Sequence, residues 1–343
     1  MIALPQDAEF RSFVALSARL GADPLLVQAA GGNTSLKREG ALWIKASGRM
    51  LRDAEGGEVF VPVDLAGVRE GIERDLADPT AGRVLGESTL RPSIETTLHA
   101  LLPHRVVLHL HSVNALAWEV RADGESSITE RLAGLAWAWV PYRRPGLPLT
   151  RAVRAPAAGG AAVLALANHG IVVGADDCAA AEALVHEVER RLALAARPAP
   201  PADAARLAAI AAASGYRAAA DPVVHALATD AACLAHVRAG VLYPDHVVFL
   251  GGEACVVDDA ASLPAVVAAY RERNAMAPAA LFVPGAGVLI APGAPAAAAE
   301  MLRCQADVLL RLPDEAAIRC LTAAEVGELL NWDAEKFRQR LAH

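Results

Sequence analysis

Lysine is nearly missing from this chain. Lys37, Lys45 and Lys336 are the only three in 343 residues, so arginine supplies almost all of the positive charge. The net charge is -7 and no basic stripe runs along any segment, which argues against a nucleic-acid partner. Aromatic residues make up only 4% of a chain that is 54% hydrophobic, and the apolar excess is alanine rather than long greasy runs. The longest uncharged stretch in mid-chain, residues 155–175, contains Pro156, four glycines, Asn168 and His169, so no membrane span is expected. The opening MIALPQDAEF has neither a basic n-region nor an apolar h-region. No secretory signal is expected, and the cytoplasm is the expected compartment. Cys178, Cys233, Cys255, Cys304 and Cys320 form no C-x-x-C pair, and their odd number fits inert thiols in a reducing environment. No repeat of fixed period occurs.

The length allows two domains with sizeable cores. Residues 10–20 read as a helix, and residues 29–48 alternate glycine turns with short apolar runs, as hairpins do. Within them Leu42 to Lys45 reads as a strand. Pro92 and Ser93 predict a helix over 93–102 with Ser93 as its N-cap. A strand follows from Arg105, then a helix from Ala115. Val163 to Leu166 is strand-like, and residues 176–194 form a helix capped by Asp176 or Asp177. Arg197-Pro198-Ala199-Pro200-Pro201 breaks all periodicity and marks a boundary between residues 1–198 and a smaller α/β domain over 203–343. That second part predicts alanine-rich helices, strands at 247–250 and 255–257, and a helix over 264–273. The stretch ALFVPGAGVLIAPG predicts a hairpin, with further helices after it. Gly285-Ala286-Gly287 is read as its turn, because a strand-like run and not a helix follows.

The residues that carry chemistry start at LHLHS, residues 108–112. Successive strand side chains point to opposite faces, so His109 and His111 share one face. Neutral imidazole is the commonest protein metal ligand, and two such rings can converge on one ion. His169 stands where an apolar run meets Gly170, a position open to a third ligand. Glu95 opens the helix before the histidine strand, with His99 one turn later on the same face; a helix-start carboxylate and a packed imidazole are the plainer roles. GGNTS (31–35) and KASG (45–48) are glycine turns with polar side chains, in a region that carries two of the three lysines, and such glycines let backbone approach a ligand closely.

GGNTS, LWIKASG, SIETTLHALLP, HLHS and LANHG occur in an order that resembles the class II aldolase/adducin family over residues 10–195. WVPYRRPG, YPDHVVFLG and NWDAEKFRQRL resemble the aldolase portion of long bifunctional rhamnulose-phosphate aldolase/dehydrogenases. No G-x-G-x-x-G follows a strand, so no dehydrogenase half is expected in these residues. The resemblance implies a three-layer α/β/α domain over 1–198 with a mostly antiparallel central sheet, assembled as a tetramer. It implies that His109, His111 and His169 hold zinc or another divalent ion. It implies that Glu95 is the acid/base, and that Gly32, Asn33, Ser47, Gly48 and Ser93 bind a phosphate. The chain departs from the fuculose-phosphate pattern at Ile94, where that pattern has a second serine. The tyrosine acid of some members has no counterpart: its place falls near Ser126-Ser127, and Tyr142 suits a different position.

Three neutral ligands would leave Zn²⁺ its full charge and an open position. A Lewis acid there would stabilise the enediolate left by carbon–carbon cleavage, and a nearby carboxylate would move the proton. The expected activity is therefore a metal-dependent aldolase, an aldehyde-lyase of carbohydrate metabolism acting on a small ketose phosphate. Epimerase, dehydratase and decarboxylase reactions on the same scaffold are the alternatives. A non-catalytic adducin-like binding module is a further one, which the three histidines disfavour. Residues 203–343 are expected to carry no catalytic centre of their own.

Overall fold

The computed structural model describes residues 4–274 and 277–333. Contacts divide the chain into two compact units: residues 1–119 with 124–193, and residues 120–123 with 194–343. Each is described by itself.

The first unit is built on α1 (Ala8–Ala22), β1 (Asn33–Arg38), β2 (Ala41–Lys45), β3 (Phe60–Asp64), α2 (Leu65–Glu73), α3 (Thr96–Leu101), β4 (Val106–Leu110), α4 (Val113–Glu119), α5 (Gly124–Arg131), β5 (Trp137–Val140), α6 (Leu147–Ala158), β6 (Val163–Leu166), β7 (Gly170–Ala175) and α7 (Cys178–Leu192). Its seven-stranded sheet runs β3-β2-β1-β4-β7-β6-β5. Every pairing is antiparallel except β5 with β6.

Strand alternation sorts the side chains into two cores. Leu42, Ile44, Val107, Leu164 and Val172 face α2, α3 and α6, where they pack on Val68, Ile72, Leu98, Leu149 and Val153. The opposite face meets α1, α4 and α7: Trp43 packs edge-on against Phe10 at 5.0 Å, and Thr34 shares a hydrogen bond with Ser17. The result is a three-layer α/β/α unit with a mostly antiparallel sheet, as the family resemblance implies. β1 is unusual for a central strand, since Asn33, Ser35 and Lys37 are all buried on its α3 side. Each has a polar partner there: Glu95, His99 and the His104 carbonyl.

The second unit comprises α8 (Ala204–Ser214), β8 (Arg217–Ala218), α9 (Ala226–Thr229), α10 (Ala231–Ala239), α11 (Pro244–Leu250), β9 (Cys255–Val256), α12 (Leu263–Arg273), β10 (Ala280–Val283), β11 (Gly287–Ile290), α13 (Ala296–Leu309) and α14 (Ala323–Leu330). Its four-stranded sheet runs β8-β11-β10-β9, and β10–β11 is the hairpin of the VPGAGV turn. Residues 120–123 join this unit through backbone bonds to Ala317 and Arg319. No helix among the described residues is long and apolar enough to cross a membrane.

Three sequence expectations need correction. Residues 247–250 are helical, not a strand: Pro244 occupies the first helical turn and Gly251 ends the helix at φ 97°. A four-residue apolar run has no periodicity of its own, and proline at a helix start decides it. Ser93 is not the N-cap of α3, which begins only at Thr96 with Glu95 in the cap position. His111 lies just past the end of β4, whose ladder stops at Leu110. The NWDAEKFRQRL segment falls mostly outside the described residues.

Candidate metal centre

Four segments converge at one end of the sheet. In the β1–β4 register Asn33 stands opposite His109, and opposed residues share a face, so both point toward α3. There the Asn33 amide donates to Glu95 Oε2 at 2.8 Å. His109 is fully buried, with Nδ1 3.0 Å from the Ile171 carbonyl. A carbonyl only accepts, so Nδ1 carries a proton, and in the neutral ring it is Nε2 that would offer its lone pair to a metal. That Nε2 lies 3.2 Å from His111 Nε2 and 3.3 Å from Glu95 Oε2. His169 completes the group, its Nε2 3.6 Å from Glu95 Oε1.

His169 is placed by the β6–β7 turn. Its N–H donates to the Leu166 carbonyl, and Asn168 before it takes the left-handed conformation at φ 54°. Gly170 after it has φ 135°, and a Cβ there would sit 2.4 Å from the Leu110 carbonyl oxygen. Only glycine lets the backbone of this turn approach the end of β4 so closely. Behind the turn lies Glu119, 1% exposed, whose carbonyl receives the Asn168 N–H. Burial, with Glu189 adding its own charge, pushes the Glu119 carboxyl well above the usual carboxylate range. Glu189 itself accepts hydrogen bonds from Ser112 and Asn114.

The ligand atoms of His109, His111 and His169 all lie within 4.8 Å of one another, and all three residues are buried. Tetrahedral coordination at about 2.0–2.1 Å implies ligand–ligand edges of about 3.3 Å. The edges of 3.2, 3.3 and 3.6 Å are therefore of the size such an ion needs. The Glu95 carboxylate feels burial first, which raises its pKa. The surrounding imidazoles and the Asn33 amide more than offset that and hold it at about 2.

The other residues expected at the site form a laced group beside it. Gly32 has φ 56°, and a Cβ on it would meet the His109 carbonyl at 2.8 Å. The turn of Ser47 and Gly48 is tied to the segment before α3, with Ser47 N–H on the Arg91 carbonyl and Ser93 N–H on the Lys45 carbonyl. Ser93 Oγ accepts the Glu95 N–H, which leaves its own proton available to an anion. Lys45 is 2% exposed and reaches back to the Ala30 and Gly31 carbonyls, so it fastens the glycine loop rather than pointing at a ligand. Ser126 and Ser127 lie on α5, and Tyr142 follows β5. Sequence reasoning missed Gln28, whose amide donates to the His111 carbonyl at 3.3 Å, and the Ile171 carbonyl that sets the His109 tautomer. Neither carries a sequence signal, since one sits in an irregular segment and the other is backbone.

A Bacillus subtilis (strain 168) protein named uncharacterized oxidoreductase YuxG is 32% identical over 186 residues, covering 49% of this chain and 26% of that protein. The chain thus spans about a quarter of that relative's length. Among solved structures, the N-terminal class II aldolase domain of a Thermoplasma acidophilum protein is similar at 25% identity and a TM-score of 0.48, covering 56% of this chain and 95% of that one. L-fuculose-1-phosphate aldolase from Thermus thermophilus is similar at 17% identity and a TM-score of 0.37, covering 53% of this chain and 89% of that one. The family profile described as Class II Aldolase and Adducin N-terminal domain matches residues 12–196, more than half of the length. By that match, the chain belongs to the class II aldolase and adducin N-terminal domain family.

Proposed function

We propose that this chain is a metal-dependent aldolase that cleaves a small ketose phosphate. In this reading His109, His111 and His169 hold a divalent ion, zinc in the first instance, and Glu95 moves the proton. The observation that carries it is the Glu95 carboxylate, buried against the Nε2 atoms of His109 and His169. A structural zinc site has no use for an additional ionised carboxylate kept beside three neutral ligands. When bound, the ion would supply Lewis-acid stabilisation of the negative charge left by carbon–carbon cleavage.

The chain's own residues do the rest. Asn33 occupies Oε2 of Glu95, while Oε1 accepts no hydrogen bond from the described residues. Oε1 is therefore the atom that takes the proton from the substrate hydroxyl and returns it to carbon. The depressed pKa keeps Glu95 ionised before substrate arrives. Gly32, Asn33, Ser47, Gly48 and Ser93 line the segments that would hold the remote phosphate and orient the reacting carbons. Residues 1–198 act as the metal domain and 203–343 as a smaller domain without chemistry of its own. A cytoplasmic homo-oligomer, tetrameric by family resemblance, belongs to the same proposal.

The test is a screen of ketose 1-phosphates for release of dihydroxyacetone phosphate, alongside elemental analysis. Release that disappears with a chelator and returns with zinc supports the reading. A product that keeps all its carbons points to an epimerase or dehydratase, and release of carbon dioxide to a decarboxylase. No turnover by metal-loaded protein leaves the binding-module alternative.

A further inference from the structure

Two of the three histidines are placed by the sheet itself. His109 sits inside the β4 ladder, opposite Asn33 on one side and Val172 on the other. His169 is fixed by its turn, through its N–H on the Leu166 carbonyl and the close approach of Gly170 to Leu110. His111 has neither support, because the ladder stops at Leu110 and α4 begins only at Val113. Ser112, the residue after it, caps α4 through the Ala115 N–H and donates to Glu189.

The segment that leads into the glycine loop runs beside this junction. The Leu25 carbonyl accepts the Val113 N–H at 2.8 Å. Gln28, 2% exposed, reaches His111 itself. Its Nε2 lies 2.7 Å from the Pro24 carbonyl oxygen and 3.3 Å from that of His111. Carbonyl oxygens only accept, so the amide nitrogen must face them, and its two hydrogens are divided between them. Turning the carboxamide over would set oxygen against oxygen, so its orientation is fixed. Gln28 Oε1 points away and accepts no hydrogen bond from the described residues, so the side chain acts by donation alone. The Gln28 main chain is anchored in turn: its carbonyl receives the Gly31 N–H at 2.9 Å, and Lys45 holds the Ala30 and Gly31 carbonyls.

We infer that Gln28 is the positioning residue for His111, its carboxamide fixing the His111 main chain, and with it the aim of the imidazole, against residues 24–28. It touches neither ion nor substrate and acts only through the histidine. The inference rests on the metal reading of the three histidines and adds to it a residue on which zinc affinity depends. Groups that hold a metal ligand from behind in this way typically contribute about 10–100-fold in affinity.

Full-length protein, stripped of metal, is titrated with zinc in competition with a chromophoric chelator. Gln28→Met has nearly the same length and no donor, and should raise the zinc dissociation constant about 10–100-fold. Gln28→Asn keeps the carboxamide but is a methylene too short to span both carbonyls, so it should move the constant the same way; it carries the measurement should the methionine variant fail to fold. The readout that separates positioning from general loosening is a cycle with His111→Ala. With the imidazole gone, either change at Gln28 should alter the residual zinc affinity by no more than about twofold. A purely structural role would lower affinity equally in both backgrounds. Parent-like zinc affinity in the Gln28 variants, or an equal loss in both backgrounds, overturns the assignment and leaves the metal site standing. A parent that binds no zinc overturns the metal reading, and this inference with it.

Discussion

Replacing Gly170 by alanine puts a single methyl between two of the three histidines. The backbone there has φ 135°, a conformation that costs a residue with a Cβ about 1–3 kcal/mol. The new Cβ would also lie 2.4 Å from the Leu110 carbonyl oxygen and 3.2 Å from the His111 Cα, and neither is a flexible side-chain end. Overpacking of this kind costs about 1–3 kcal/mol more, so a total near 4 kcal/mol is expected. Gly40→Ala is the control: its φ is 77° and nothing lies within 4 Å of the added methyl, so only the strain of about 1–2 kcal/mol remains. Urea unfolding of metal-free protein, followed by tryptophan fluorescence, measures both variants. Four of the five tryptophans, Trp43, Trp118, Trp137 and Trp139, belong to the first unit and Trp332 to the second, so most of the signal reports the first unit. Because relief of the clash must separate the β6–β7 turn from the end of β4, Gly170→Ala should also lower zinc affinity at least tenfold. If it loses no more stability than Gly40→Ala and titrates with zinc like the parent, the close-approach argument is wrong.

Three further outcomes are expected. His111→Ala should reduce bound metal from one ion per chain to near zero by elemental analysis, and the parent should release metal as pH falls through the histidine range; equal metal in both would refute the ligand assignment. Glu95→Gln preserves the acceptor for Asn33 but cannot take a proton, so turnover should fall by ~10²–10⁴-fold with metal content and melting temperature unchanged. Glu119 has a folded pKa above its unfolded value, so its contribution is complete below about pH 4.5 and is lost as pH rises toward the folded value. Glutamine imitates the protonated acid at every pH. Glu119→Gln should therefore match the parent near pH 4 and gain on it at up to about 1.4 kcal/mol per pH unit above that, read as melting temperatures at pH 4, 6 and 8. Identical melting temperatures throughout would refute the buried-acid reading.

Much of the site's framework is legible because its chemistry is carried by side chains at regular spacing. His109 follows from alternation along its own strand, the strands at 42–45 and 163–166 from their apolar runs, and α7 from its periodicity and from Asp177, whose side chain caps it. Legibility fails where backbone decides. The Ile171 carbonyl fixes a tautomer, yet any residue at 171 would supply it. The helix over 244–250 was hidden in an apolar run too short to show a period. Ser93 has the composition of a cap, but its hydroxyl accepts the N–H of Glu95, the cap residue itself, and not that of a residue inside the helix. Residues 120–123 read as part of the first domain by position, and only their pairing with 317–319 assigns them to the second unit.

Two of the bonds that shape the centre, Asn33 to Glu95 and His109 to the Ile171 carbonyl, each join residues 62 apart. Closing a loop of that length costs about 4 kcal/mol of chain entropy before any contact rewards it. Neither bond can persist in a partly organised chain, so the centre is a product of the finished sheet and not a nucleus for it. During synthesis, a nascent chain acquires the full set of site groups only after residue 171 has left the ribosome. Until then the strand carrying His109 and the segment carrying Glu95 have no β7 to close against.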